Sequence, residues 1–304
     1  MKCFKNRYNN LSYIIFTILS LFSISLIFNN NVWFDEAYTL SLIQHNYSEV
    51  IEILKSDMHP PLYFISLKFF CEIFGYSILV TKIFSVLGYI ATLLLGCTVV
   101  KKHFGSDTSM VYMLTIGAIP MSLYFSVQQR SYQWSIFFVT LCFTEALLFL
   151  ENHGTRHCVI FVITALFAAY NHIYALLAVG VIFIFVNIYA FVKDGKLIKA
   201  IIISDIAMTV GYSPWIIPLL YQTEAAAGGC VCIGTCYFHA DTRQKGKPQV
   251  ICNICDNLRI KRSGDRSACD NFHSPLLHSE VQRCYIGNFR AACRFRHTTY
   301  KRKS

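Results

Sequence analysis

Long apolar runs separated by short polar connections make up the first 222 residues of the chain. A run of about 18 or more apolar residues can cross a bilayer as an α-helix. The pattern predicts seven such helices, at about residues 11–28, 78–100, 109–127, 134–150 and 200–221, with two more in 158–192 separated by a break at Asn171 and His172. The predicted fold class is an all-α membrane protein with about seven transmembrane helices.

Composition supports a membrane protein and argues against an ordinary soluble domain. Hydrophobic residues make up 55% of the 304 residues and charged residues only 14%, too apolar a balance for a soluble fold. The net charge is +10, but the chain through Glu224 holds 13 basic and 12 acidic residues, so the excess lies after it. No nucleic-acid-reading motif accompanies these basic residues, and no nucleic-acid partner is predicted.

The distribution of basic residues predicts the orientation, because cytoplasmic loops are enriched in Lys and Arg near helix ends. A cytoplasmic N-terminus places nine of the 13 basic residues of the body inside: Lys2, Lys5, Arg7, Lys101, Lys102, Arg156, Lys193, Lys196 and Lys199. The asparagines at 29–31, which follow the first apolar run in place of a small-residue cleavage site, favour an uncleaved anchor over a signal peptide. We therefore expect a multi-pass plasma-membrane protein.

This orientation requires that residues 60–74 do not cross the membrane. The segment is only about 15 residues long and carries Lys68 and Glu72 one helical turn apart. An amphipathic helix in the outer interface fits it better than a span. The first extracytoplasmic loop is then predicted to run from about residue 29 to 77.

Two acidic motifs lie in this loop. Asp35 and Glu36 follow the first apolar run directly, and Asp35 alone could serve as the N-cap of a helix that begins at Glu36. Asp57 and His59 precede two prolines that are typical of a helix start, but the prolines need neither an acid nor a histidine beside them. Helix capping and a role in a functional site are both possible interpretations of these residues.

Two further motifs are predicted at the same outer level. Arg130 follows Gln128 and Gln129 and precedes Tyr132; its planar donor fork suits a phosphate, although a snorkelling arginine is the alternative. His172 interrupts two apolar runs, and a lone histidine there is more often structural than a ligand. Lys82, in the second predicted helix, also lies near this end.

Together, and in this order, these motifs resemble the GT-C superfamily of integral membrane glycosyltransferases, in particular relatives of protein O-mannosyltransferases and of the lipid A aminoarabinose transferase. The resemblance covers about residues 10 to 222. The motifs that carry it are WFDEAY (Asp35, Glu36), DMHPPLYF (Asp57, His59), SVQQRSYQW (Arg130, Tyr132), YNHIYAL (His172) and YSPW (Tyr212, Trp215).

The resemblance implies inverting transfer of a sugar from a polyprenyl-phosphate donor to a lipid, glycan or protein acceptor on the extracytoplasmic face. Asp35 would be the base, with Glu36 beside it, since an acceptor hydroxyl must lose its proton. Arg130, helped by Lys82 or His59, would stabilise the leaving phosphate. Asp57, Tyr132 and His172 would complete the donor site. No cofactor is predicted, although Asp57, His59 and His172 could hold a divalent cation.

Residues 225–304 form a second predicted region, outside the resemblance. Leu, Ile, Val and Phe number 15 of these 80 residues, and with a net charge of +9 this composition predicts a largely irregular tail. Cys232, Cys236, Cys252 and Cys255 could form a zinc ribbon. A truncated or out-of-frame end of a longer enzyme is the favoured interpretation.

Two other functions stay open. A transporter or lipid flippase would also place polar residues within the membrane, but it predicts internal repeats and midplane polar sites, and neither is evident. An inactive fragment of a glycosyltransferase is the second alternative.

Overall fold

A computed structural model describes residues 2–29, 31–57 and 59–240, with side chains for 11–222 apart from Asn30 and Met58. Within these ranges the chain is helical, and no strand occurs. The helices are α1 (Lys2–Leu26), α2 (Phe34–Leu42), α3 (Tyr47–Ser56), α4 (Leu62–Phe74), α5 (Ile78–Leu95), α6 (Lys101–Phe104), α7 (Ser106–Ala118), α8 (Pro120–Ser126), α9 (Tyr132–Asn152), α10 (Thr155–Asn171), α11 (Ile173–Lys193) and α12 (Ile198–Ala240).

Four helical stretches of the described chain are long and apolar enough to cross a membrane: Ile78–Phe104, Tyr132–Asn152, Ile173–Lys193 and Gly195–Gln222. The pair Ser106–Ala118 and Pro120–Ser126 adds a fifth if it is counted as one bent span. Leu11–Leu26 and Thr155–Asn171 are apolar but shorter. A membrane protein with four or five candidate spans is therefore supported, and the count of seven stays a prediction.

Exposed apolar surface supports a lipid environment for these helices. Along α11, the side chains of Leu177, Val181, Ile184 and Ile188 are all more than half exposed. Their spacing places them on one face of the helix. Such a face is unfavourable in water and suits contact with acyl chains.

Two of the apolar segments are broken where the sequence predicts or permits it. His172 has extended backbone angles between α10 and α11, at the predicted break. α7 and α8 are bent by 66° at Ile119, because Pro120 lacks the amide needed to continue a helix. In the predicted helix at 78–100, a π-helical turn, Gly96–Val100, joins α5 to α6.

The first predicted loop contains three helices. α4 begins directly after Pro61, and Lys68 Nζ lies 3.0 Å from Glu72 Oε1, so the predicted pair on one face of this helix is present. Its position in the membrane interface stays a prediction. The capping prediction is wrong: Trp33 is the N-cap of α2, and Asp35 is the second helical residue.

The loop helices pack on the ends of the later helices and form one core with them. Leu40, Leu54 and Tyr63 are buried in a cluster that also includes Tyr212 and Trp215 of α12. The Gln222 side chain donates to the carbonyl oxygen of Leu54 at 2.9 Å, which ties α3 to α12. The loop is therefore fixed over one end of the bundle.

The predicted boundary at Glu224 lies within α12, whose backbone continues to Ala240. Residues 225–240 depart from the predicted irregular tail, because their backbone continues α12. The rest of the tail and the side chains of the predicted zinc ribbon lie outside the described residues.

Candidate functional site

The N-terminus of α2 is held against the connection between α8 and α9 by Glu36. This carboxylate is only 3% exposed; Oε2 accepts from the amide of Trp33 at 2.7 Å and Oε1 from the amide of Gln129 at 3.0 Å. Both of its oxygens are therefore engaged by backbone N–H groups. Glu36 thus fixes the position of Asp35 relative to Arg130.

Arg130 is a buried cation at the centre of this end of the bundle. Its guanidinium donates from Nη1 to the carbonyl oxygen of Asp35 at 3.5 Å and contacts His59 Nε2 from Nη2 at 2.8 Å. The residue is 8% exposed, and among the described residues no carboxylate lies within ion-pair distance of it. A desolvated guanidinium without a counter-ion favours binding of an anion.

The state of His59 follows from its partners. Because a guanidinium can only donate hydrogen bonds, His59 Nε2 must accept, and the ring proton resides on Nδ1. Nδ1 then donates to Asp57 Oδ2 at 3.0 Å, and the same oxygen accepts from the Tyr38 hydroxyl at 2.5 Å. Asp57 and Tyr38 therefore orient a neutral His59, and His59 orients Arg130.

Asp35 differs from the other acids of this region in its exposure. Its backbone carbonyl contacts Arg130, while its carboxylate is exposed and makes no hydrogen bond or ion pair with any described residue. Asp35 and Arg130, 95 residues apart in sequence, are thereby brought together. A carboxylate without partners is available to accept a proton from a bound molecule.

Lys82 is a second buried cation, on the first turns of α5. Its ammonium group donates to the carbonyl oxygens of Asn29 and Asn31, and the residue is 3% exposed. No carboxylate of the described chain lies within 4 Å of it. Lys82 therefore fixes the connection between α1 and α2 and adds positive charge beneath it.

Tyr132 and His172 form the far side of the site. Their ring centroids lie 5.6 Å apart, and His172 Nδ1 accepts from the amide of Tyr174 at 3.1 Å. Burial, together with the nearby positive charge of Arg130, lowers the pKa of His172 to about 4. The ring is therefore neutral near pH 7, with its proton on Nε2.

Residues that the sequence did not identify as part of the site position this cluster. The Asn171 amide donates to Ser131 O at 2.9 Å and to Ser135 Oγ at 2.7 Å, and so joins the break before α11 to the start of α9. Tyr38, one helical turn after Asp35, is the partner of Asp57. Asn171 could have been identified from its place as a polar residue within an apolar run. Tyr38 could have been identified from its helical spacing from Asp35.

The residues suggested as ligands for a divalent cation do not assemble into a metal site. Asp57 and His59 contact each other, but nowhere in the described part of the chain do three or more His, Cys, Asp or Glu side chains converge as metal ligands would.

Comparison with protein-family models, with curated proteins and with solved structures finds no match to this chain. The family resemblance of the motifs therefore stays a prediction.

Proposed function

We propose that this protein is an integral membrane glycosyltransferase of the GT-C type, which transfers a sugar from a polyprenyl-phosphate donor to an acceptor hydroxyl with inversion. One observation carries the proposal. A buried guanidinium without a carboxylate partner, Arg130, contacts the backbone of Asp35, whose own carboxylate is exposed and unpaired among the described residues.

Departure of a lipid phosphate requires stabilisation of negative charge more than it requires a general acid. Arg130 is suited to this role because its guanidinium is oriented by His59 before any ligand arrives. The orientation costs nothing at the moment of reaction, which is the condition under which such donors accelerate a reaction most. Tyr132 and His172 would bound the same pocket, and Lys82 adds positive potential from below.

Attack by an acceptor hydroxyl requires a base on the opposite side of the anomeric carbon from the leaving phosphate. Asp35 would take the hydroxyl proton, the acceptor oxygen would form the new glycosidic bond, and the bond to the phosphate oxygen would break with its electron pair. Glu36 is proposed as a positioning residue, since backbone amides occupy both of its oxygens. Asp57 would position His59.

The proposal includes seven transmembrane segments, formed by the five candidate spans and the two shorter apolar helices. The N-terminus would be cytoplasmic and the site extracytoplasmic, in the plasma membrane. Grooves between the apolar helix faces would hold the polyprenyl chain.

Purified full-length protein in liposomes, supplied with a panel of labelled polyprenyl-phosphate hexoses and with native membrane lipids, glycans and proteins as acceptors, is expected to release polyprenyl phosphate. Asp35→Asn is expected to lower the rate by at least about 100-fold, since proton acceptance by a positioned base contributes on that order. Unchanged thermal unfolding would show that the fold is intact.

Asp107→Asn is the matched control, because Asp107 is also an exposed acid in the first turn of a helix, α7. Its rate should equal that of the unmodified protein. Equal rates for the Asp35 variant and this control would remove the proposed mechanism, and absence of release from every donor would remove the proposed activity.

A further inference from the structure

A second polar site lies at the opposite end of the same helices. Arg130, Tyr132 and Asn171 mark one end of α9 and α10, whereas a cavity of about 560 Å³ opens near the other end. α9 has 21 residues and is about 30 Å long. The cavity is therefore distinct from the proposed glycosyl-transfer site.

The walls of this cavity combine apolar and basic side chains. Tyr13 of α1, Val99 of the π-helical turn and Ile160 of α10 provide apolar surface. The charged residues that line it are Lys101, Lys102, Arg156 and Glu145, with His103 and His157. Three cations thus face one carboxylate.

That carboxylate is already engaged. Glu145 is 6% exposed, and its Oε2 lies 2.7 Å from Nδ1 of His157. Lys101 Nζ lies 4.0 Å from the ring centroid of Tyr13, which directs its charge along the cavity wall. Lys102 and Arg156 are exposed and have no ion-pair partner in the described part of the chain. The cavity therefore has an excess of positive charge.

The sequence of α1 brings no acid to this end of the bundle. α1 contacts the π-helical turn, and the Cys97 thiol donates to the carbonyl oxygen of Ser12 at 3.6 Å. The chain before Asp35 contains no acid, while Lys2, Lys5 and Arg7 belong to α1. No negative charge from this helix can offset the cations.

We infer that this cavity binds a phosphate group, with the phosphodiester of an anionic membrane lipid as the ligand class that its position and its mixed walls fit. Basic pockets between transmembrane helices on the cytoplasmic side are suited to anionic head groups. Lys102 and Arg156 would contact the phosphate, and Tyr13, Val99 and Ile160 would contact the adjoining glycerol and acyl carbons. The inference rests on the proposed orientation of the bundle and is independent of the proposed glycosyl transfer.

The test titrates purified full-length protein in neutral detergent with short-chain phosphatidylglycerol, short-chain phosphatidylcholine and inorganic phosphate. Binding is read as a saturable rise in Tm. Phosphatidylglycerol is expected to bind, and the double variant Lys102→Gln/Arg156→Gln is expected to weaken its binding about 25-fold, at about a fivefold loss for each basic residue. Both side chains are exposed, so the variant is expected to fold.

Lys193→Gln/Lys196→Gln is the control, because it removes two exposed lysines near the same end of the bundle without touching the cavity. Inorganic phosphate could raise Tm as much as phosphatidylglycerol does, with the rise lost only in the Lys102→Gln/Arg156→Gln variant. That result would assign a soluble phosphate as the ligand in place of a lipid. The inference is overturned if neither anion binds, if phosphatidylcholine binds equally, or if both double variants lose the same affinity.

Discussion

The Nη2 atom of Arg130 lies 2.8 Å from Nε2 of His59, although the two residues are 71 positions apart in the chain. Since arginine only donates, this contact requires the imidazole to be neutral, and the ring donates a hydrogen bond from Nδ1–H to Asp57. A carboxylate, a neutral ring and a permanent cation thus form one ordered chain. Predictions about the site follow from that order.

Replacement of Arg130 should weaken donor binding more than any other single change. Arg130→Gln removes a buried charge that would bond a phosphate, and such bonds contribute about 1.5–3 kcal/mol. The expected loss of affinity for polyprenyl phosphate is about 10- to 100-fold, measured with protein in detergent. Lys55→Gln, which removes an exposed basic residue of the first loop, is the control and should bind normally.

Asp57 and Arg130 should behave as a coupled pair. Asp57→Leu leaves the cation in place but removes the acceptor that orients His59, and we expect roughly tenfold weaker donor binding. Because both residues act through the same ring, the double variant Asp57→Leu/Arg130→Gln should lose less than the two separate losses combined. Strict additivity would show that the His59 link has no energetic role.

Stability should decline with acid through His172. Its pKa is lowered to about 4 in the folded protein, against 6.5 for the free side chain. Between these values the unfolded state binds more protons, so the free energy of unfolding falls as pH drops from about 6.5 to 4. His172→Gln should flatten that part of a plot of Tm against pH; an unchanged slope would assign the acid sensitivity to other groups.

Close packing of the first helices should make Gly117 sensitive to substitution. A Cβ atom there would lie 2.6 Å from Leu19 Cδ1 and 2.8 Å from Leu93 Cδ2, so these two leucine side chains or their helices would have to shift. Gly117→Ala should lower stability by about 1–3 kcal/mol. Gly180→Ala provides the comparison, because nothing lies within 4 Å of its added Cβ, and its Tm should stay level or rise.

Local sequence signals predicted much of the helical framework. Pro61 marks the start of α4, and His172 separates α10 from α11, because prolines and polar residues interrupt apolar runs in a recognisable way. The sequence predicted that α10 is apolar. It did not establish that this helix spans a bilayer, because α10 has only 17 residues. The seven predicted runs thus correspond to apolar helices of unequal length.

The N-terminus of α2 shows where local reasoning fails. Asp35 has the better intrinsic preference for an N-cap, yet Trp33 occupies that position. Glu36 accounts for the difference, because it binds the Trp33 amide and also the Gln129 amide, 93 residues away. Only tertiary structure brings that second donor to the helix, so capping preference alone cannot identify it.

The hydrogen-bonded ring of His59 has a consequence for a protein whose site would face the cell exterior, where acidity varies. Its Nε2 is occupied by a guanidinium, so assembly of the anion-binding centre requires no proton uptake. The attraction for a phosphate is built into the covalent structure of arginine and does not depend on the surrounding medium. The charge that attracts a phosphate is therefore permanent, whereas its orientation through His59 requires a ring whose Nε2 carries no proton.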